Sequence, residues 1–496
     1  MHEKPSHILG RDRQWRSAQR FLFGGSDDGA LRFGLLSGRR RTGKTQMLTA
    51  LCRGVGGLYT ACVQDEGDRA ARTRFAAAIS EHAGLGSTSR GEPESWERLL
   101  RAALETANRA APTGAPPLVV IDEFPYAMAN APQLPSLVQQ AYDDAQNGRG
   151  PGGHLILCGS ALSVMHELLS GSKPLRGRAA MDMRMPELDY REAAGLWRVD
   201  NPEVALRVHA CVGGIPGYRP LMSDPGPTID NFDRWVVDNL LAVDVGVFTR
   251  TEVDYLLRED PRITSRAIYN DVLTAIANGA TTPAKVGAAV GRDGNAVRYP
   301  IDVLESARYL TRTQDMLRGR KPTIAVADPI IRFDRMITSP HVQQLELGRA
   351  AQVWRAAAPT FNSNILGPHF ETVSREWVNR FAPDELDRPA SFGDVGYATV
   401  HDNSGRANYD IDVIAVEQKH VTLIGEAKAT LAQRGTGDLQ RLDHIRDVLT
   451  GTGHNARASV LALFSATGFT PDLEKAASRR ADVELVDLNR MYATGH

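Results

Sequence analysis

Short apolar runs alternate with amphipathic segments over about the first 190 residues of the chain. The apolar runs predict strands, and the segments in which apolar residues recur every three or four positions predict helices. The predicted strands are residues 31–37, 58–63, 118–121 and 154–159, and the predicted helices are residues 45–53, 69–83, 94–110 and 135–146. Strands that alternate with helices of this length predict an α/β fold built on a parallel sheet.

The pattern becomes mainly helical after about residue 189 and alternates again near the C-terminus. Helices are predicted at residues 190–197, 201–211 and 228–241, whereas residues 265–327 predict helices followed by a pair of strands. Residues 349–358 predict a helical connector. From about residue 362 a helix precedes predicted strands 395–401, 410–416, 421–426, 458–464 and 483–486, with a helix at 438–449. This part predicts a second, separate α/β domain.

Composition excludes several classes of protein. The 496 residues carry 58 basic and 59 acidic side chains, a net charge of −1. This balance excludes a polybasic binder, although it allows a local basic patch. The chain does not open with a signal-like apolar stretch, and its longest apolar run, near residues 155–165, is far shorter than the ~20 residues of a membrane span. The four cysteines lack C-x-x-C spacing, so we expect reduced thiols in a soluble, cytoplasmic protein without membrane contact.

A glycine-containing loop follows the first predicted strand and precedes a predicted helix. It matches the phosphate-loop pattern G-x-x-x-x-G-K-[ST] with Gly38, Arg39, Arg40, Arg41, Thr42, Gly43, Lys44 and Thr45. In this context backbone N–H groups and the helix N-terminus favour bound phosphate. We expect Lys44 to reach the β- and γ-phosphates of ATP and the hydroxyl of Thr45 to ligate Mg²⁺.

Two carboxylates, Asp122 and Glu123, directly follow the predicted strand 118–121. A continuous apolar run is typical of a central parallel strand, whose C-terminal end faces the ligand crevice. We expect Asp122 to hold Mg²⁺, directly or through water. We expect Glu123 to polarise the attacking water as a general base.

These motifs resemble the AAA+/STAND class of P-loop ATPases. In that class a Gly-Arg-Glu box lies by the adenine, and Gly10 and Arg11 match it, whereas Asp12 replaces the usual Glu. The resemblance implies that Ser160 is a polar sensor near the γ-phosphate. It also implies that Arg178, which belongs to a Gly-Arg pair, neutralises phosphate charge in its own or a neighbouring subunit. The alternative for Arg178 is a surface salt bridge.

The middle of the chain resembles two further modules of this class. The Gly-Gly-Ile-Pro sequence at residues 213–216 resembles the Gly-x-Pro turn at the helical lid. Residues 281–326 resemble a winged helix-turn-helix, and residues 292–321 hold seven basic and four acidic side chains. Arg298, or Arg318, Arg320 and Lys321 in the wing, could therefore contact DNA phosphates. The alternative is a packing or regulatory module.

A second set of charged residues ends two predicted strands of the C-terminal domain. Asp412 lies 14 residues before Glu426, and Lys428 follows in the sequence G-E-A-K. A tight turn between the two strands would bring these side chains together, and strand alternation places Glu426 and Lys428 on one face. Two carboxylates can bind Mg²⁺, which lowers the pKa of a bound water, and Lys428 can orient that water or stabilise developing negative charge.

This arrangement resembles the PD-(D/E)xK nuclease fold. The resemblance implies that Glu371, on the predicted helix that includes residues 367–376, is a further acidic metal ligand, with Gln433 and Gln440 as weaker candidates. Ile411 stands where the family name has proline. Two alternatives stay open: exposed charges at the ends of strands, and a nuclease-like fold that no longer cuts.

The order of these modules, over nearly the whole chain, resembles an archaeal and bacterial ATPase family whose C-terminal domain is called DUF234. The resemblance implies five segments: a P-loop AAA+ core at 1–188, a helical lid at 189–260, a winged helix at 261–340, a connector at 341–361 and a nuclease-like domain at 362–496. The first hypothesis is an ATP- and Mg²⁺-dependent enzyme that acts on DNA, with a homo-oligomer or protein partner as further possibilities. The alternative is a STAND-like ATP/ADP switch with a non-cleaving tail.

Overall fold

The computed structural model divides the chain into two units. It describes residues 2–25, 29–85, 94–222, 226–242, 244, 247–260, 262–263, 265–319, 322–386, 392–402 and 405–493. The first unit comprises Met1–Glu187, Ile215–Gly217 and Arg258–Arg262, and the second comprises Leu188–Gly214, Tyr218–Leu257 and Ile263–His496. All four cysteines are free thiols.

The first unit contains five strands and seven helices among its described residues. The strands are β1 Leu31–Ser37, β2 Leu58–Ala61, β3 Leu118–Asp122, β4 Gly153–Gly159 and β5 Ala179–Arg184. The helices are α1 Asp12–Phe23, α2 Lys44–Val55, α3 Asp68–His82, α4 Trp96–Ala110, α5 Phe124–Asn130, α6 Leu134–Gln146 and α7 Leu162–Glu167.

The five strands form one parallel sheet in the order β2-β3-β4-β1-β5. Side chains on alternate strand positions enter two separate cores, because a strand points successive residues to opposite faces. Val119 packs into the core formed with α3, α4 and α6, whereas Val120 packs into the core formed with α1 and α2. The predicted α/β fold with a parallel sheet is therefore confirmed.

The sequence analysis does not predict helices α1, α5 and α7 of this unit, or its edge strand β5. The sequence of β5, Ala-Ala-Met-Asp-Met-Arg, alternates between more and less exposed positions and includes Asp182 and Arg184. An edge strand has one partner and one open side, so it lacks the continuous apolar run of a central strand. The strand predicted at 58–63 also ends earlier, at Ala61.

Among its described residues, the second unit contains seven strands and most of the helices of the chain. Its strands are β6 Leu310–Thr313, β7 Thr323–Val326, β8 Asp394–Asp402, β9 Ala407–Glu417, β10 His420–Lys428, β11 Val460–Ser465 and β12 Val483–Asp487. Its helices are α8 Tyr190–Trp197, α9 Pro202–Val212, α10 Phe232–Val236, α11 Val247–Glu259, α12 Arg266–Ala277, α13 Pro283–Ala289, α14 Arg298–Ser306, α15 Pro329–Phe333, α16 Val342–Glu346, α17 Ala350–Thr360, α18 Gly367–Arg380, α19 Ala382–Glu385, α20 Thr436–Gly451, α21 Pro471–Ala477 and α22 Leu488–Tyr492.

Helices α12, α13 and α14 are followed by the antiparallel hairpin β6–β7. This is the order of elements that the sequence predicts for a winged helix. Thr282 caps α13 by accepting a hydrogen bond from the N–H of Lys285, which explains where this helix begins. The following helix, α14, has nine residues. Arg320 and Lys321, two of the predicted wing cations, lie outside the described residues.

The C-terminal strands form a mixed sheet in the order β12-β11-β10-β9-β8. Strands β10, β11 and β12 are parallel, whereas β8, β9 and β10 are antiparallel. The turn between β9 and β10 consists of Gln418 and Lys419, both with positive φ, as a two-residue hairpin turn requires. Helix α20 packs Leu442 and Ile445 against one face. Trp377 of α18 contacts Phe464 of β11, with 5.8 Å between the ring centroids.

Helix α17 does not end at a linker before α18. A wider turn of π-helix, Phe361–Leu366, joins the two into continuous helical backbone from Ala350 to Arg380. The boundary that the sequence predicts at residue 361 therefore falls inside a helix. The helix predicted at 228–241 likewise consists of α10 followed by the π-helical turn Val237–Leu241. Within the described ranges, none of the helices combines the length and the apolar character that a membrane crossing needs.

Candidate functional site

The phosphate loop connects β1 to α2, and its lysine lies inside the loop. The ammonium of Lys44 donates to the carbonyls of Gly38, at 2.8 Å, and Arg39, at 3.0 Å. Gly43 precedes the helix with φ of 93°, a conformation that strongly favours glycine. Gly38 lies so close to Met185 that a Cβ would meet its carbonyl at 2.6 Å. The loop therefore needs both of its motif glycines.

Buried polar contacts hold the rest of this loop. Arg11 is 4% exposed and donates to the carbonyl of Thr42 at 3.0 Å. The Thr42 hydroxyl donates to the carbonyl of Arg39 at 2.7 Å, and the Arg39 guanidinium forms an ion pair with Glu187. Gly217 donates its N–H to the carbonyl of Arg41 at 3.0 Å. The family resemblance implies a position by the adenine for Arg11, and in this structure Arg11 supports the loop backbone.

The first residue pair of interest lies where α2 begins and β3 ends. The hydroxyl of Thr45 donates to Oδ2 of Asp122 at 2.7 Å, and the hydroxyl of Tyr59 donates to the same oxygen at 2.8 Å. Asp122 is 2% exposed, whereas Thr45 is exposed. Burial and the neighbouring charge of Asp122 raise the pKa of Tyr59 well above its ordinary value, so Tyr59 stays a hydrogen-bond donor. Sequence reasoning missed Tyr59, because its position depends on β2 lying beside β3.

The second pair joins the ends of β3 and β4. The N–H and the hydroxyl of Ser160 both donate to Oε2 of Glu123, each at 3.0 Å. Glu123 itself has φ of 51°, in the left-handed region that is uncommon for residues other than glycine. Because β4 lies between β1 and β3, Ser160 emerges between the phosphate loop and the acidic pair. The geometry can hold Glu123 in one orientation.

Arg178 forms an ion pair in this structure. Its guanidinium donates to both carboxylate oxygens of Asp143, at 3.0 and 3.1 Å, and to the carbonyl of Pro174 at 2.9 Å. Asp143 belongs to α6. These contacts correspond to the salt-bridge alternative for Arg178.

The two glycines of the Gly-Gly-Ile-Pro segment contribute to packing in the second unit. Gly213 ends α9 with φ of 64° and accepts a hydrogen bond from the indole N–H of Trp197 at 3.0 Å. Gly214 accepts a hydrogen bond from the N–H of Leu188 at 2.9 Å, and a Cβ on Gly214 would meet the Leu188 carbonyl at 2.0 Å. The close backbone approach explains the need for glycine here.

In the second unit the structure brings Asp412, Glu426 and Lys428 together on β9 and β10. The ammonium of Lys428 lies 3.0 Å from Oδ2 of Asp412 and 3.4 Å from Oε1 of Glu426. The N–H of Ala427 also donates to Oδ2 of Asp412, at 3.0 Å. Burial lowers the pKa of Lys428, but the two carboxylates outweigh burial and raise this pKa above its ordinary value. Lys428 is therefore a charged ammonium at neutral pH.

Helix α18 brings Glu371 and Arg375 to the same place. Arg375 donates to the carbonyl of Asp412 at 2.7 Å and lies 3.8 Å from Oε2 of Glu371. Burial, and next the charge of Asp412, raise the pKa of Glu371. The charge of Asp412 therefore acts on Glu371, as expected for two neighbouring carboxylates.

Helix α20 contributes an arginine that the sequence does not single out. Nε of Arg441 lies 3.4 Å from Oε2 of Glu426, which is buried and has no hydrogen-bond donor among the described residues. Gln433 and Gln440, the weaker candidates, are both exposed. Across the part of the chain that the structure describes, there is no group of three or more His, Cys, Asp or Glu side chains suited to a metal ion.

The loop of the β6–β7 hairpin contacts the edge of the C-terminal sheet. The N–H of Met316 donates to the carbonyl of Tyr397 at 3.0 Å, and Asp315 accepts a hydrogen bond from the N–H of Thr399 at 3.0 Å. Asp315 also accepts from the N–H groups of Leu317 and Arg318. The described part of the predicted wing thus packs on β8, although Arg318 itself is exposed.

Comparison with known proteins gives weak similarities. No protein-family model matches the sequence. An uncharacterised protein of Methanocaldococcus jannaschii is 24% identical over 361 residues, which cover 71% of this chain and 74% of that protein. A Walker-type ATPase of Pyrococcus abyssi has a TM-score of 0.49 and 19% identity, covering 67% of this chain and 97% of that one. The ORC2 protein of Aeropyrum pernix has a TM-score of 0.42 and 14% identity, covering 72% of this chain and 98% of that one.

Both TM-scores lie below 0.5, so the assignment of the fold rests on this chain's own geometry. The first unit has a parallel five-stranded sheet, a glycine-containing loop that leads into a helix, and an acidic pair at the end of a neighbouring strand. These features define a P-loop nucleotide-binding fold.

Proposed function

We propose that this chain is a P-loop ATPase that acts on DNA, with a nuclease-like site in its second unit. The ATPase part is carried by one observation: Ser160 holds Glu123 beside the Thr45–Asp122 pair at the C-terminal edge of the sheet. Ligands of open α/β sheets bind at this edge. We include in this proposal the AAA+ class for the first unit and a DUF234 domain in the second unit, both of which the sequence resembles.

The loop residues would divide the work of binding ATP. The backbone N–H groups of residues 38–45 would surround the phosphates, and Lys44 would exchange the carbonyls of Gly38 and Arg39 for β- and γ-phosphate oxygens. Thr45 and Asp122 would hold Mg²⁺, since hydroxyl and carboxylate oxygens suit this ion. The ion, when bound, supplies positive charge to the phosphates.

Glu123 would then orient the attacking water and accept its proton. Ser160 would keep the carboxylate in place through its two hydrogen bonds, and Arg11 would keep the loop backbone in its binding conformation. Gly10, the residue before Arg11, has φ of 57°, a conformation that favours glycine. We include it in the proposed nucleotide site.

ATP binding and turnover test this proposal directly. Wild-type protein should bind a fluorescent ATP analogue with Mg²⁺ and release phosphate from ATP. Lys44→Ala should lose binding, whereas Glu123→Gln should bind and fail to hydrolyse. Lys173→Ala is the matched control, because Lys173 pairs with Glu167 in the same unit. Wild-type turnover in Glu123→Gln would contradict the assigned base.

The nuclease-like part rests on the meeting of Asp412, Glu426 and Lys428. Asp412 and Glu426 would hold Mg²⁺, which would take the place of the Arg441 guanidinium that now lies 3.4 Å from the buried Oε2 of Glu426. The ion, when bound, lowers the pKa of a water. Lys428 would orient this water or stabilise the negative charge that develops on the phosphate. Glu371 would be a further ligand.

Cleavage of plasmid and linear DNA tests the second part. Wild-type, Lys428→Ala and Lys44→Ala proteins are compared with Mg²⁺ or Mn²⁺, with and without ATP. Lys475→Ala, which removes an exposed lysine of α21, is the control. Cleavage that is lost in Lys428→Ala alone supports a nuclease, and additional loss in Lys44→Ala supports gating by ATP.

A STAND-like ATP/ADP switch is the second candidate, and two observations favour it. The Asp412 carboxylate already accepts hydrogen bonds from Lys428 and Ala427. The hairpin loop, moreover, packs on β8. Both observations fit a C-terminal domain that binds a partner or DNA without cleaving DNA. ATP turnover without DNA cleavage under every metal condition, together with nucleotide-dependent oligomerisation, would favour the switch.

A further inference from the structure

We propose that an arginine-lined cleft in the first unit binds the phosphate backbone of nucleic acid. The cleft lies between α1 and the edge strand β5 and has a volume of about 760 Å³. This inference rests on the proposed action on nucleic acid and adds a binding surface to it, separate from the phosphate loop and from the hairpin β6–β7.

The charge of the cleft differs from the charge of the whole chain. Its lining includes Arg13, Arg20, Arg32 and Arg184, against the single carboxylate of Asp182. The chain as a whole has a net charge of −1. Within the described ranges, these four arginines make no ion pair with a carboxylate. A concentration of one sign of charge in a concave surface attracts and retains a polyanion.

The fold fixes where these guanidinium groups can act. Arg13 and Arg20 lie seven residues apart on α1, which is two helical turns or about 10.5 Å along the helix axis. Asp182 and Arg184 lie on one side of β5, because strand residues alternate. Arg32 lies over the ring of Phe21, 5.5 Å from its centroid, so its guanidinium is positioned by packing.

This arrangement favours a phosphate polymer over a single anion. Cations that lie about two helical turns apart can be satisfied together by successive phosphates of one strand, but not by one phosphate group. All four cations are arginine, whose planar guanidinium binds phosphate through two hydrogen bonds. An acidic peptide is the competing ligand, and the experiment separates it from nucleic acid.

The cleft also lies close in sequence to the nucleotide loop. Arg184 precedes Met185, whose N–H donates to the carbonyl of Ser37 at 2.7 Å and whose backbone adjoins Gly38. Arg13 lies two positions after Arg11, whose guanidinium donates a hydrogen bond to the carbonyl of Thr42 in the loop. A nucleic-acid backbone bound in the cleft would therefore contact Arg184 and Arg13. These residues lie one and two positions along the chain from Met185 and Arg11, which contact the phosphate loop or the strand before it.

The test measures binding of fluorescently labelled single- and double-stranded DNA to the full chain over a series of salt concentrations. Arg13→Ala combined with Arg20→Ala should weaken binding about tenfold and reduce the slope of log K against log salt by about two, one for each lost phosphate contact. Arg16→Ala is the matched control, because Arg16 is exposed on the same helix and does not line the cleft. ATP turnover should stay at the wild-type rate in both the double variant and Arg16→Ala.

The outcomes separate this proposal from the proposed function. If wild type binds DNA and the double variant behaves like Arg16→Ala, the cleft is overturned and the proposed function stands. If wild type binds no DNA of either kind, both are overturned. If polyglutamate displaces DNA as well as unlabelled DNA does at equal charge, the cleft accepts anions in general, and the assignment to nucleic acid is overturned.

Discussion

Ser160 and Glu123 are joined by two hydrogen bonds to a single carboxylate oxygen, one from the N–H and one from the hydroxyl of the serine. Ser160 directly follows β4, and Glu123 directly follows the neighbouring strand β3. Since the N–H bond belongs to the backbone, a change of side chain removes one of the two bonds and leaves the other.

Ser160→Ala should therefore reduce ATP turnover about tenfold with little change in KM. Glu123→Gln should reduce it further, by about 10² to 10⁴, the range for loss of a general base. Steady-state phosphate release over a range of ATP concentrations measures both. Ser163→Ala is the control, because the Ser163 hydroxyl donates to Asp260 instead. Equal rates for Ser160→Ala and Ser163→Ala would show that the side-chain bond does not position the base.

Arg178→Ala should leave ATP turnover within about twofold of wild type, because the guanidinium is already paired with Asp143. Both side chains of this pair are partly exposed, so its loss should cost about 0.5 kcal/mol of stability. Asp143→Ala releases the arginine and serves as the partner variant. A large loss of turnover in Arg178→Ala alone, at a protein concentration that permits oligomers, would instead support an arginine that acts on a neighbouring subunit's nucleotide.

Asp315→Ala should destabilise the hairpin loop on β8. The carboxylate is 7% exposed and accepts hydrogen bonds from the N–H groups of Leu317, Arg318 and Thr399. Leaving such donors unpaired costs about 2 kcal/mol. Hydrogen exchange at residues 315–318 and 397–399 should accelerate in this variant. Asp302→Ala, which removes an exposed partner of Arg312, should leave this exchange unchanged.

Acid should destabilise the second unit through a histidine pair in which His369 is buried and His209 is half-buried. Nδ1 of His209 lies 2.8 Å from Nε2 of His369. Burial lowers the pKa of His209 to about 4, whereas the charge of Asp189 and a hydrogen bond to the Leu188 carbonyl act to raise it. Burial, and then His209 and Arg332, lower the pKa of His369 well below its ordinary value.

Both histidines are therefore neutral in the folded chain at pH 5, whereas the unfolded chain binds protons below its histidine pKa of about 6.5. Stability is complete above about pH 6.5 and is lost as the pH falls from there towards 4. The loss should reach about 4 kcal/mol by pH 5, about 2 kcal/mol for each histidine, in urea denaturation of the wild type. It should shrink when His209→Gln and His369→Gln are combined. His420→Gln, at an exposed histidine, should keep the wild-type profile.

The sequence predicts the parts of the nucleotide site that depend on local pattern. The apolar run of β3 ends at Asp122, and the helix after Gly43 begins with Lys44 and Thr45. Carboxyl ends of parallel strands lie at one edge of a sheet, so the meeting of Thr45 with Asp122 could be expected. The order of the strands cannot be obtained in this way. Ser160 reaches Glu123 because β4 is inserted between β1 and β3, which depends on tertiary packing.

The same limit explains what the sequence misses in the second unit. The spacing of Asp412, Glu426 and Lys428 along two strands predicts that they meet, because a two-residue turn fixes the register of the hairpin. Arg375 and Arg441 come from helices on other parts of the chain, and their contacts depend on how those helices lie against the sheet. The sequence around Asp315 is that of an ordinary loop. Its role depends on the packing of this loop on β8, which the sequence does not predict.

The π-helical turn Phe361–Leu366 determines the angular position of everything that follows it in α18. Each residue of an α-helix advances the side-chain direction by about 100°. A deletion or insertion of one residue in this turn would therefore rotate Glu371 and Arg375 together about the helix axis, away from Asp412. The helical backbone would remain continuous, yet the arrangement of charges around Asp412 would change. The extra residue in the π-helical turn thus sets the rotation of α18 about its axis, relative to the helix that starts at Ala350. That rotation decides which α18 side chains face the carboxylates of the C-terminal sheet.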